Sequence, residues 1–218
     1  MKKVILTAVG AAGLMTGSAL AGNTLYDNGG PNGVNGYSNA TVNAFGARRT
    51  ILDDFILDQD STIQDFHWSS VWGTPGIPIP QGSGMELSFL SDAGGMPGIT
   101  LATAVVTGYS EVGTGNIYFS REEAQHWVTI EDLDLAAGQY WFEATVIGPE
   151  NNFWLTADQQ NNECWVNYDD LGGLQSGTQQ FGSASDVNFR ITGVATPAPG
   201  ALALLGLAGL AGRRRRRA

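Results

Sequence analysis

The constraint that most limits how this chain can fold is a set of short runs in which apolar and polar residues alternate. DVNFRIT places Val187, Phe189 and Ile191 on one face and Asn188, Arg190 and Thr192 on the other. QYWFEATVI sets Tyr140, Phe142, Ala144 and Val146 against Trp141, Glu143, Thr145 and Ile147, a second face of mixed polarity. HWVTIED, MELSFLSD and NFWLTA read as further strands bounded by turn residues. Glycine and proline cluster in WGTPGIPIPQGSG and SDAGGMPG, which read as surface loops. The Asn- and Gly-rich stretch from Asn28 to Asn43 reads as an ordered loop or a loosely held leading strand. Only Arg121 to His126 has a helical look, enough for one turn. Strands without βαβ alternation or an internal repeat predict an all-β fold, a two-sheet β-sandwich of jelly-roll type.

The two ends read as signals rather than as fold. Lys2 and Lys3 precede an apolar stretch from Val4 to Leu14, and Ala19-Leu20-Ala21 fits the small-x-small rule for signal peptidase, giving a mature start at Gly22. The stretch contains Gly10 and Gly13 and is too short for a permanent anchor. At the other end, Pro197, Ala198 and Pro199 lead into an apolar run, Ala201 to Ala211, followed by Arg213, Arg214, Arg215, Arg216 and Arg217. As a helix that run would extend roughly 16 Å, against a hydrocarbon core of about 30 Å. The arginines would stay cytoplasmic under the positive-inside rule, so the layout suits a transient inner-membrane tether. The expected organisation is therefore a signal peptide at 1–21, a β-sandwich domain at 22–196 and a sorting tail at 197–218.

The tail resembles a PEP-CTERM sorting domain: a proline motif, an apolar segment and a terminal arginine cluster. Here the usual Pro-Glu-Pro is Pro197-Ala198-Pro199. The resemblance covers about a tenth of the chain. It implies processing by an exosortase-type membrane enzyme during delivery to the cell envelope, the cell surface or an extracellular matrix, in bacteria that often make exopolysaccharide. TLYDNG, DDFILDQDSTIQDFHWSSVW and ECWVNYDDLGG are similar to segments of secreted proteins bearing the same tail, a likeness that brings no activity with it.

Charge narrows the partners. Outside the two signals the only basic residues are Arg48, Arg49, Arg121 and Arg190, while all 21 acidic residues lie between Gly22 and Thr196, a net charge of −17. That charge disfavours nucleic acid and anionic lipid as partners of the domain; cations, neutral glycans and basic proteins stay open. Cys164 is the single cysteine, so no internal disulfide forms, and its strand-like surroundings read as a small buried hydrophobe.

No motif for chemistry stands out. G-x-S-x-G, H-E-x-x-H and paired Cys/His spacings are absent. The two histidines each precede a tryptophan, His67-Trp68 and His126-Trp127, so one partner of each pair should be core and the other exposed; a polar surface histidine is the default. Calcium is the metal these carboxylates suit, although no EF-hand or ligand set emerges. Six tryptophans could supply stacking platforms for sugar rings, and Trp68 and Trp72, beside the Pro-rich loop, are expected to be exposed. Trp154 and Trp165, each between apolar neighbours, read as core. Three functions remain open: a non-enzymatic surface or matrix component, a carbohydrate-binding module, and a glycan-active hydrolase, which needs two carboxyls of unequal pKa in one cleft.

Overall fold

The computed structural model describes residues 6–7, 22–41, 46–72, 84–147, 152–158 and 160–196, with only the backbone of Leu6, Thr7 and Trp72. The expected cleavage residues Ala19 and Ala21 and the whole tail, Pro197 to Arg217 included, lie outside these residues. Among the described residues no helix is long and apolar enough to cross a membrane.

Two sheets pack face to face. The first has seven strands, in spatial order β1 (Leu6–Thr7), β7 (Pro97–Val106), β6 (Met85–Asp92), β10 (Gly138–Val146), β4 (Arg49–Leu57), β12 (Trp165–Tyr168) and β13 (Gly173–Ser176). The second has eight and is organised round β5 (Ser61–Trp72). On one side of β5 lies β9 (Arg121–Leu135), which in turn carries β8 (Ser110–Tyr118). On its other side β15 (Phe189–Ala195) pairs from Ser61 to Trp68 and β11 (Asn152–Ala157) from Ser70 to Trp72. β2 (Asn23–Asp27) pairs with β15, and β3 (Gly36–Ser38) and β14 (Asp186–Val187) pair with β11. Apart from the parallel contact of β1 with β7, the pairings are antiparallel, and the all-β two-sheet sandwich read from the alternation is what the chain forms.

The core follows from the period-2 pattern. Phe66 and Trp68 of β5, Phe142 of β10, Trp154 of β11 and Phe189 of β15 point between the sheets, with the Phe142 and Phe189 rings 4.7 Å apart and the Phe66 and Phe142 rings 4.9 Å apart. Burying each such ring contributes roughly 1.5–3 kcal/mol, which lets the sandwich stand without a disulfide. Cys164 is buried, as its surroundings implied. Trp165 is only partly buried; it packs on Leu52, Leu90 and Trp141 on the opposite face of the seven-stranded sheet.

Two local expectations are corrected. Arg121 to His126 is not helical: it opens β9, where pairing with both β5 and β8 overrides weak local preference. Among the described residues the one helical turn is α1 (Gly177–Phe181), set by a capping box in which Ser176 accepts from the Gln179 backbone and Gln179 accepts from Ser176, and ended by Gly182 at a left-handed φ of 77°. Gly193 sits at a register shift in β15, where an added Cβ would collide with the Thr62 carbonyl oxygen, so no larger residue fits between β15 and β5.

Candidate functional site

Antiparallel register brings the two His-Trp dipeptides together. His67 of β5 lies opposite Trp127 of β9, and Trp68 lies opposite His126. Side chains alternate along each strand, so His67 and Trp127 share the outer face of the sheet while Trp68 and His126 share the inner one. One partner of each dipeptide is core and the other is not, as expected, but the assignment differs between them. Trp68 is 2% exposed, so its expected role as an exposed sugar platform is overturned. His126 is 1% exposed, against the surface histidine expected by default. Trp72 closes β5, and its backbone placement is all that is described.

The outer face carries a groove of about 670 Å³ over β2, β15, β5 and β9. Two cross-strand rows make its floor. One runs Arg190, His67, Trp127 and the next Thr192, Asp65, Thr129, each set directly opposite across adjacent strands. Asp65 fixes the second row, accepting from Thr129 Oγ1 at 2.7 Å and from Thr192 Oγ1 at 3.2 Å. With the Thr192 hydroxyl donating to Asp65, its oxygen accepts from His67 Nε2 at 3.1 Å, which sets the imidazole tautomer. Burial and the neighbouring Arg190 charge lower the His67 pKa, with Asp65 opposing, so the ring is neutral at neutral pH. Gln125 and Arg190 are exposed and Trp127 half-buried, and all three line the groove.

The rim is the loop from Asp27 to Pro31. Its shape is held by Asp27, whose Oδ1 accepts from the Gly29 backbone at 2.9 Å while Gly29 takes a φ of 84°. Buried Asn28 anchors it, donating to the Val187 carbonyl at 3.0 Å, and Asn188 donates to the Gly29 carbonyl. Gly22, the expected mature start, also lines the groove.

Beneath the floor runs a second polar row. Ser70 Oγ is 2.7 Å from His126 Nε2, and His126 Nδ1 is 3.5 Å from Glu111 Oε2. The residue types echo a serine hydrolase, but Ser70 is 0% exposed, and a nucleophile must reach its substrate. The His126 ring stacks on Trp68 at 4.9 Å and meets Tyr109 edge-on at 5.1 Å. Burial pushes its pKa down to about 3, so it is a neutral packing group that ties β5, β9 and β8 together.

The remaining chemistry lies elsewhere. Asp53 occupies a core-facing position of β4, accepting from the Val187 backbone at 2.7 Å and so joining the two sheets. Burial raises its pKa well above the carboxylate range, helped by nearby Asp186. Burial likewise raises Asp54, and it takes Asp186 to about 6. None of these three acids lines the groove. Among the described residues no group of three or more His, Cys, Asp or Glu side chains is arranged to hold a metal ion.

Sequence reasoning missed Trp127, His67, Arg190 and Asp65 as one surface. The two His-Trp dipeptides were the available signal, but register, which sets each histidine against the other's tryptophan, is not written in either strand alone. No family model matches the chain, and neither a curated protein nor a solved structure matches it.

Proposed function

We propose that this is an exported, non-enzymatic β-sandwich of the cell surface or extracellular matrix, and that it holds polysaccharide in the groove over Trp127. The observation that carries the reading is the pair of rows on the outer face: an indole for the C–H face of a sugar ring beside polar groups of Asp65, His67 and Arg190, with exposed Gln125 next to them on β9. Hydroxyl-rich, largely neutral sugar suits a groove whose charged linings are Asp27, Asp65 and Arg190 within a domain of net −17. Export rests on the amino-terminal leader and on the tail's resemblance to PEP-CTERM domains, with signal peptidase and an exosortase-type enzyme as the processing partners. Cleavage before Gly22 would leave the new α-amino group at the margin of the groove.

Affinity electrophoresis of residues 22–196 through gels containing the producing bacterium's exopolysaccharide tests the binding. Retardation that Trp127→Ala abolishes supports the reading, and migration identical with and without polysaccharide refutes it. Mass spectrometry of the native protein should show a start near Gly22 and loss of the tail near Pro197 to Gly200. An intact arginine run on surface protein would count against sorting.

A further inference from the structure

Gly22 lines the groove and is also the expected first residue of the processed chain. Chain termini usually fray, but this one is held. An added Cβ at Gly22 would lie 3.0 Å from the Gly193 nitrogen, so the Gly22 backbone packs directly on β15. Gly193 is itself fixed between neighbours, opposite Asn23 of β2 and Ile63 of β5. The residue that would carry the new terminus therefore has a set place on the β2 side of the groove.

Two features of the sequence and the lining give that place chemical weight. Between Gly22 and Thr196 the chain contains no lysine, so once the leader is removed the Gly22 α-amino group is the only primary amine of the domain. The charged residues lining the groove are Asp27, Asp65 and Arg190, two negative charges against one positive.

We infer that the Gly22 α-ammonium is a ligand-binding group of the groove, so that removal of the leader completes the site. This rests on the polysaccharide-binding reading and on cleavage before Gly22, and it assigns a regulation to that same site. In the precursor the nitrogen is an amide, with one N–H and no charge. As a terminal ammonium it offers three donors and a positive charge that balances the two acids. It enters near Thr24, which lies opposite Thr192 and so extends the row of Thr192, Asp65 and Thr129 onto β2. Because Gly22 is already packed on Gly193, engaging a sugar orders little further chain. β2, β15, β5 and β9 are successive neighbours, which sets β2 and β9 three strand spacings, roughly 14 Å, apart. More than one sugar ring spans that distance. The ammonium and the Trp127 indole thus hold different units of one chain, and the ligand is an oligosaccharide rather than a single sugar.

Every strand except β1 lies within residues 22–196, so that fragment contains the whole sandwich apart from a two-residue edge strand. Released from a cleavable fusion so that it begins at Gly22, it carries one amine, and amine-selective reagents modify Gly22 alone. Acetylation makes the nitrogen an amide, as the bond to Ala21 does in the precursor, whereas reductive dimethylation adds comparable bulk and keeps the charge. The unmodified, acetylated and dimethylated forms are compared by affinity electrophoresis, each against a gel without exopolysaccharide, and thermal unfolding checks that all are equally folded. Acetylation should weaken binding about tenfold, and dimethylation by less than about threefold. Acetylated protein that binds as tightly as the unmodified form, or equal losses from both reagents, would overturn the inference and leave the groove reading in place. A native start other than Gly22 would overturn it too. Failure of every form to bind would refute the polysaccharide reading itself, and this inference with it.

Discussion

The two faces of the β5–β9 ladder pose a comparison with the residue types held constant. Each face presents one histidine opposite one tryptophan, yet the inner pair is sealed between sheets and the outer pair borders a groove. Inside, Trp68 stacks on His126, and Ser70 supplies a hydrogen bond to the imidazole. Outside, His67 is bonded to Thr192, and Trp127 is only partly buried and lines the groove. Identical chemistry thus serves cohesion on one side and, in the function proposed here, recognition on the other. Burial, rather than residue type, decides which.

The largest expected contrast is in stability. Trp68→Ala removes a large ring from the aromatic core and should cost about 3–5 kcal/mol, measured by urea unfolding. Trp127→Ala should cost clearly less, since Trp127 is only partly buried and lies outside the aromatic core. Equal losses would erase the distinction between the faces.

Acid should separate them next. The His126 pKa is about 3 in the folded protein against 6.5 for a free imidazole, so between these values the unfolded chain binds a proton that the folded chain refuses. Stability from this group is complete above pH 6.5 and falls as pH drops toward 3, by about 1.4 kcal/mol per pH unit. Asp186 acts in the opposite sense. Its pKa rises from 3.8 to about 6, so the folded state holds a proton the unfolded chain has released, and this stability is lost as pH rises through about 6. The two partly cancel between about pH 4 and 6. In unfolding measurements across that window, His126→Gln should expose a decline with rising pH and Asp186→Asn a steeper gain. If His126→Gln leaves the pH slope unchanged, the histidine is not the buried neutral group described.

Smaller effects are expected in recognition. Trp127→Ala should weaken polysaccharide binding at least about tenfold, about 1.4 kcal/mol. Asp65→Asn keeps the shape of the second row but weakens the acceptor for both threonine hydroxyls, and should reduce affinity by a smaller factor when both variants are titrated with oligosaccharide by calorimetry. Loss of binding in Asp65→Asn without loss in Trp127→Ala would move the ligand off the indole.

Much of the fold was readable in the chain because sheet faces repeat every two residues: Val187, Phe189 and Ile191 lie in the core as their alternation required. What failed was non-local. Arg121 to His126 looked helical until two neighbouring strands claimed it, whereas the actual helical turn had its cap written in Ser176 and Gln179 and was passed over. Trp68 was read as exposed because a Pro-rich loop follows nearby, but position along a strand does not say which face is covered. The groove was the least legible part. It needs β2, β15, β5 and β9 side by side, and paired residues such as Asp27 and Arg190 lie far apart in sequence.

The most direct test uses the six tryptophans as reporters. In a ¹⁵N-labelled fragment of residues 22–196, the indole Nε1–H resonances can be assigned by single substitution and followed while exopolysaccharide-derived oligosaccharide is added. The Trp127 signal should shift progressively while those of Trp68 and Trp154 stay in place. A stationary Trp127 signal, with ligand-dependent shifts elsewhere or none, would contradict the assignment of the outer face to glycan.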